Sequence, residues 1–297
     1  MRILLLGARG QLGRALFSAL CRDYSHWQVT PLGRAECDIT DPGALIGALE
    51  RHQPDVILNG AAYTAVDLAQ SQPALAERIN HEAVSLLARE ASARGALLVH
   101  FSTDYVFDGS GSDPWRESDQ PAPLNAYGQS KWAGEQAIIA SGCRYLIIRT
   151  SWLHSPWRTN FLKTMLQLAH SRDELQVVCD QVGAPTSAMM LAEVTLQAID
   201  RVLTEPQLEG LYHVAASGAV SWFDYARCIF SEAYASGLID KVPRLKPITS
   251  RDYAGVVNRP LNSRLDTQLF QQHFGVRLPD WREGVTSTLQ ALLEEQQ

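Results

Sequence analysis

Met1-Arg2-Ile3-Leu4-Leu5-Leu6-Gly7-Ala8-Arg9-Gly10-Gln11-Leu12-Gly13 opens the chain, and this stretch decides the fold. An apolar run of strand length turns at once into a glycine loop and then into a helical pattern near Gln11–Leu20. Glycines allow a tight turn and close backbone approach to an anion, and a helix N-terminus presents free N–H groups. The spacing is G-x-x-G-x-x-G rather than G-x-G-x-x-G, so the generic pattern alone is weak. Its position directly after a first strand points to the diphosphate of a dinucleotide, cradled by Gly7, Gly10, Gln11, Leu12 and Gly13.

Outward from this loop the same alternation continues. Apolar runs at Gln28–Leu32, Asp55–Asn59, Leu97–Ser102 and Tyr145–Arg149 are separated by helical patterns near Pro42–His52, Pro73–Arg94 and Asn125–Ser141. Near-continuous Ile, Leu and Val strands between helices predict a parallel sheet covered on both faces. The expected fold class is α/β, a Rossmann-like doubly wound parallel sheet with a smaller C-terminal α/β lobe. Residues 1–151 read as the nucleotide-binding domain and 152–297 mainly as a substrate-binding lobe. Helical patterns near Asn160–Ser171, Met190–Leu203, Trp222–Ala235 and from Trp281 belong to that lobe, and strand-like Leu175–Val178 and Leu211–Val214 are candidates to rejoin the main sheet.

Composition excludes several function classes. The 297 residues are 46% hydrophobic and 20% charged, which suffices for a large buried core, and the net charge of −6 disfavours nucleic acid and anionic membranes. No apolar run is long enough to span a bilayer, and the glycine loop follows too soon for a signal peptide. Five scattered cysteines without a C-x-x-C pair suit a reducing cytoplasm better than a disulfide framework or a zinc site. His100 and His213 fall in apolar runs and read as packed or surface histidines rather than metal ligands.

Catalytic chemistry is expected at Tyr127-Gly128-Gln129-Ser130-Lys131. Residues four apart share a helix face, so Tyr127 and Lys131 can point into one cleft. An ammonium about 5 Å from a phenol, at an effective dielectric near 20, favours phenolate by on the order of 3 kcal/mol, or about two pKa units. Such a shift brings tyrosine toward acid–base work. Thr103, at the end of the Leu97–Ser102 strand, stands where ligands of open α/β sheets bind, and its hydroxyl could donate to a carbonyl beside Tyr127. Arg34, following the second strand, can accept the 2′-phosphate of NADPH, with Arg9 close by. Glu36 is the nearest acid, so some use of NADH is expected as well. Six basic residues against one acid between Lys241 and Arg264 suit a diphosphate, with Arg259 and Arg264 the preferred pair and Lys241, Arg244 and Lys246 read as a solvated loop.

Together these features resemble the extended short-chain dehydrogenases/reductases. Longer motifs at Asn59–Asp67, Ser102–Phe107, Arg149–Trp152, Asp180–Thr186 and Arg259–Leu265 resemble, within that group, the dTDP-4-dehydrorhamnose reductases along essentially the whole chain. The resemblance implies reduction of the C4 ketone of dTDP-4-dehydro-L-rhamnose for surface polysaccharide such as O antigen, with Tyr127 as proton donor. Lys131 would lower its pKa and hold the nicotinamide ribose, and Thr103 would bind the carbonyl oxygen. Asp38, Ile39, Ala61, Ala62, Tyr63 and Ser102 would frame the cofactor, and Val66, Asp104, Tyr105 and Trp152 would line the sugar pocket.

Two rival readings are weighed. The nearest is another extended short-chain enzyme acting on nucleotide sugars, an epimerase or a dehydratase; a dehydratase would carry Asp-Glu beside the strand-end threonine, where this chain has Asp104-Tyr105. A non-catalytic subunit resembling the regulatory subunit of methionine adenosyltransferase is disfavoured by the intact Thr103, Tyr127 and Lys131 set. Some reductases of the resembled family pair through magnesium held by glutamates after the glycine loop and after Ala-Pro-Thr. Here those stretches are Gly13-Arg14-Ala15 and Ala184–Leu191, without a carboxylate until Glu193. Magnesium requires hard oxygen ligands, so no metal is expected, and the chain is expected to be a monomer or a metal-free homodimer.

Overall fold

The computed structural model describes residues 1–253, 255 and 257–295. The N-terminal half runs β1 (Arg2–Leu6), α1 (Gln11–Asp23), β2 (Gln28–Leu32), α2 (Pro42–His52), β3 (Val56–Asn59), α3 (Ala83–Arg94), β4 (Leu97–Thr103), α4 (Ala126–Ala140) and β5 (Tyr145–Thr150). The C-terminal half adds α5 (Phe161–Ser171), β6 (Glu174–Val178), α6 (Ala188–Thr204), β7 (Gly210–His213), α7 (Trp222–Ala235), β8 (Arg244–Ile248) and α8 (Trp281–Glu294).

Six strands form one parallel sheet in the order β7-β5-β4-β3-β1-β2. The order reverses direction beside β1, so the crevice of the fold opens where the glycine loop leaves that strand. β1, β3 and β4 are buried on both faces, as their unbroken apolar runs require. One side packs on α1, α6 and the C-terminal helices around Leu16, Leu191, Phe230 and Trp281. The other packs on α2 and α3 around Leu45, Leu49, Val84 and Leu87.

The two C-terminal strand candidates part company. Gly210–His213 pairs with Leu146–Arg149 and completes the main sheet. Glu174–Val178 pairs instead with Arg244–Ile248 in a separate two-stranded sheet. Arg244 and Lys246 therefore belong to a strand and not to the expected solvated loop, their alternation with Leu245 and Pro247 having been masked by the local charge. Lys241 pairs with Asp173 at 2.6 Å and Arg244 lies 3.7 Å from Glu174.

The single helix expected over Pro73–Arg94 is also corrected. Val66–Ser71 and Pro73–Glu77 are short helices, and Arg78–Glu82 is one π-helical turn leading into α3. The wide turn carries Asn80, which accepts from the Tyr63 N–H at 2.8 Å and donates to the Tyr63 carbonyl and the Ser130 hydroxyl, each at 3.0 Å. Helix α4 lies against this turn because Gly134 has no side chain; a Cβ there would collide with the Asn80 carbonyl oxygen. Insertions of this kind recur at functional sites.

A buried ion pair fixes α4 against β5. Glu135 and Arg149 are 0% and 3% exposed and meet through two hydrogen bonds of 2.9 and 2.6 Å. The guanidinium also lies 5.1 Å from the Phe107 ring and 3.4 Å from His213 Nε2. Removing one member of such a pair strands the other charge. Glu135→Gln is expected to lower the unfolding free energy by about 3–5 kcal/mol, whereas Glu135→Leu with Arg149→Met costs much less or nothing. Urea denaturation of the three chains at pH 7 measures the difference.

Candidate active site

A cleft of about 490 Å³ opens beyond the C-terminal ends of β1, β3, β4 and β5. Its walls include Gly10, Gln11 and Leu12 from the glycine loop, Ala62 and Val66 after β3, Ser102 to Tyr105 at and beyond the end of β4, Tyr127 and Lys131 on α4, and Trp152. Arg259 reaches the same cleft from the C-terminal segment.

The glycine loop is built as a cradle. A side chain on Gly13 would collide with the Gly7 carbonyl oxygen, so only glycine lets α1 begin this close to the turn. Gly10 caps α1 without a side-chain hydrogen bond, which leaves the first N–H groups turned to the cleft. Nearby, the Ser102 hydroxyl and the Thr150 hydroxyl are buried on the cleft wall with no hydrogen-bond partner among the described residues. A phosphate-accepting helix end beside orphaned hydroxyls fits a polar dinucleotide with an amide-bearing ring.

Beyond β2, the exposed Arg34 donates to Asp38 at 3.1 Å, and Asp38 also accepts from the Thr40 N–H at 3.0 Å. Arg9 pairs with Glu36, whose other oxygen accepts from the Gly33 N–H at 2.9 Å. Ile39 is buried beneath this turn. The side of the cleft expected to take the adenosine end therefore presents two arginines, each held by a carboxylate.

Tyr127 and Lys131 follow from the N-cap of α4: Asn125 accepts from the Gly128 N–H at 2.9 Å and donates to the Asn258 carbonyl at 3.0 Å. The Tyr127 ring opens on the cleft and meets Tyr105 edge-on at 5.7 Å. Its phenol is pushed up to about 12 by burial, with the Thr103 hydroxyl opposing and Asp104 reinforcing. The expected depression by Lys131 is absent. Nζ is drawn to the Phe101 carbonyl at 2.6 Å and to His100 Nε2 at 3.0 Å, and burial lowers the ammonium itself to about 8. Same-face spacing brought the two groups together; desolvation, which the spacing argument omitted, reverses the sign.

Thr103 donates to Asp104 at 3.0 Å and accepts from the Tyr105 N–H at 3.2 Å. Asp104 is 2% exposed, and its second oxygen has no partner with hydrogen-bond geometry among the described residues. Burial raises its carboxyl to about 6, against the opposing hydroxyls of Ser263 and Thr103. Arg259 grips both oxygens of Asp67 at 2.8 Å. Arg264, by contrast, donates to Asn262 at 2.9 Å and to the Ser112 carbonyl, and is not on the cleft wall.

Of the opposite wall the sequence pointed to Trp152 alone. Trp152 stacks on Trp222 with ring centres 3.5 Å apart, and Phe161 and Tyr225 extend this aromatic surface from α5 and α7. Trp152 holds a left-handed φ of 46° that turns its ring over Gly183. Asn160 and Ser155 both donate to Gln11 Oε1, at 2.8 and 2.9 Å, and tie this wall to the glycine loop. Aromatic residues at helix starts gave the available signal, but they look like ordinary core until the helices are placed. Among the described residues no group of three or more His, Cys, Asp or Glu could hold a metal, and Glu193 pairs with Arg22 at 2.7 Å.

A raised carboxyl pKa destabilises the fold above it. For Asp104 the penalty is absent well below pH 4 and complete above about pH 6. Asp104→Asn is therefore expected to gain about 2 kcal/mol relative to the parent between pH 4.5 and 7. Denaturation curves at the two pH values measure this; a constant gap would show that Asp104 is not held neutral by burial.

Comparison with known proteins agrees along the whole chain. The family model described as RmlD substrate binding domain matches residues 1–294. A dTDP-4-dehydrorhamnose reductase of Escherichia coli (strain K12) is 43% identical, with 98% of each chain covered. The crystal structure of a dTDP-4-dehydrorhamnose reductase from Clostridium acetobutylicum superposes with a TM-score of 0.90 at 37% identity, covering 99% of this chain and 100% of that one. The same enzyme from Bacillus anthracis, solved in complex with NADP, gives 0.88 at 34%, covering 98% and 99%.

Proposed function

The chain belongs to the family described as RmlD substrate binding domain, and on that premise we propose that it reduces the C4 ketone of dTDP-4-dehydro-β-L-rhamnose to dTDP-β-L-rhamnose with NADPH. The observation that carries the reading is the convergence of Thr103, Tyr127 and Lys131 on one cleft that also contains the glycine cradle. When bound, NADPH supplies the hydride; the chain's own residues supply binding, orientation and the proton.

Reduction of a ketone leaves an alkoxide that needs a proton. Tyr127 carries its proton at neutral pH, since burial holds the phenol near 12, and is suited to give it up as negative charge builds on the oxygen beside it. Thr103 is suited to donate to the same oxygen, released from Asp104 by an acceptor of greater charge. Arg259, partly paired with Asp67, supports binding of the substrate diphosphate, and the Trp152–Trp222 surface supports packing against the apolar face of the sugar. Gln11 and the N-terminus of α1 support holding the cofactor diphosphate. Five free thiols favour a cytoplasmic setting, and no helix of the described residues is long and apolar enough to cross a membrane.

Purified chain offered dTDP- and UDP-linked 4-keto-6-deoxyhexoses should consume NADPH fastest with the dTDP sugar and yield the rhamnose product by mass and NMR analysis. Tyr127→Phe should lose about 10²–10⁴ in kcat while binding NADPH normally. Near-parental turnover in that variant, or no product from either sugar, would refute the assignment. Arg34→Ala should raise KM for NADPH and leave that for NADH nearly unchanged; equal effects would remove Arg34 from the 2′-phosphate site.

A further inference from the structure

Behind Lys131 lies a buried chain of three polar side chains that the proposed reaction does not itself use. Asn59 at the end of β3, His100 in β4 and Lys131 on α4 are 1%, 0% and 1% exposed. Asn59 Nδ2 is 3.1 Å from His100 Nδ1, and His100 Nε2 is 3.0 Å from Lys131 Nζ. At the outer end the Ala61 N–H donates to Asn59 Oδ1 at 3.2 Å.

Hydrogen-bond polarity fixes the protons. An N–H can only donate, so Ala61 holds the Asn59 oxygen toward itself and turns the amide nitrogen to the imidazole. Nδ1 must then accept, and a neutral His100 carries its proton on Nε2. That proton points at Lys131, which can receive it only as an uncharged amine, while an Nζ–H donates to the Phe101 carbonyl at 2.6 Å. A charged Lys131 demands the opposite arrangement: Nε2 accepts, the imidazole proton moves to Nδ1, and Asn59 turns its oxygen inward. The Asn59 amide nitrogen then faces the Ala61 N–H, donor against donor, and the Ala61 N–H is released toward another acceptor.

We propose that His100 is a positioning residue that couples the charge of Lys131, through Asn59, to the backbone of the loop Gly60–Tyr63. The coupling rests on the reading of this cleft as a dinucleotide site. An anionic cofactor offers an acceptor to the freed Ala61 N–H and a negative field to Lys131, so its binding favours the charged arrangement and draws one proton from solvent. By linkage, protonation of Lys131 tightens cofactor binding by the same factor. Above about pH 8, where the free chain holds Lys131 uncharged, the ammonium then appears beside Tyr127 only when the cofactor is present.

Other groups around Lys131 are consistent with this assignment. On its own helix, Tyr127 lies one turn before it and Glu135 one turn after, the latter engaged by Arg149 from β5. From β4 come His100 and, past the strand end, Asp104, which faces Tyr127. Glu135 favours the ammonium, but burial outweighs it and leaves Lys131 near 8, and His100 is held well below its ordinary value by burial and by Lys131. The lysine is thus neutral above about pH 8 and charged below it, within reach of a bound anion's influence.

The test reads the His100 tautomer directly. In ¹⁵N-histidine-labelled free chain, long-range ¹H–¹⁵N spectra distinguish protonated Nδ1 from protonated Nε2, and His100→Gln identifies the His100 signals by their loss. The expected result is protonated Nε2 at pH 9.5, passing to protonated Nδ1 with a midpoint near 8. Saturating NADPH at pH 9 should bring the same switch, and Lys131→Met should abolish the pH dependence. A tautomer constant from pH 6.5 to 9.5, or a titration that survives in Lys131→Met, overturns the proposal. NADPH that binds without changing the tautomer overturns the coupling to the loop. Failure of NADPH to bind at all would instead refute the cofactor reading, with the free-chain titration still deciding the side-chain chain itself.

Discussion

The buried pair of Glu135 and Arg149 is the contact on which the cleft depends. Two opposite charges removed from water are tolerated only when each finds its full set of partners. Meeting that demand draws four parts of the chain together: α4 through Glu135, β5 through Arg149, β7 through His213, and the segment after β4 through Phe107. Phe107 stacks on Trp115 at 4.6 Å, and the Trp115 carbonyl meets His213 Nδ1 at 3.0 Å. The His213 N–H donates to Glu117 at 2.8 Å. Tyr127 and Lys131 stand two turns and one turn before Glu135 on the same helix, so the pair also sets their height and rotation over the sheet.

Around the buried polar groups of the cleft the dominant force is desolvation. It raises Tyr127 and Asp104, lowers Lys131 and His100, and in each case favours the uncharged form. Asp104 and Lys131, brought this close to neutral pH, respond strongly to a ligand that carries its own charge, because little solvent remains to screen it. Three arginines kept near the rim are already paired, Arg259 with Asp67, Arg34 with Asp38 and Arg9 with Glu36. Anionic ligands therefore meet arginines that are oriented in advance.

Much of this was legible in the sequence because it depends on local pattern. Unbroken apolar runs defined the parallel strands, and the first glycine loop marked the crevice. Tyr127 and Lys131 share a helix face by spacing alone. What escaped depends on partners distant along the chain. The π-helical turn at Arg78–Glu82 answers the close approach of Gly134, more than fifty residues later. Arg244–Ile248 is a strand only because Glu174–Val178 offers it an edge. Nothing in the sequence sets Trp222 and Tyr225 beside the cleft before α7 is placed, and Arg264 read as a phosphate ligand although the Asn262 side chain and the Ser112 carbonyl claim it. The direction of the Tyr127 shift failed for the same reason, since burial is a property of the assembled fold.

The sheet order also has a consequence in time. β5 is flanked by β4, made before it, and by β7, made about sixty residues later; at a synthesis rate of about 5–20 residues per second that gap lasts roughly 3–12 s. Throughout it the outer edge of β5 offers unpaired N–H and C=O groups on an apolar strand, the kind of edge to which other chains add. Arg149 waits over the same interval without His213 beside it. The nascent protein is therefore most exposed to mispairing after α4 is complete and before its last sheet strand arrives, a window in which a chaperone that shields strand edges would matter most.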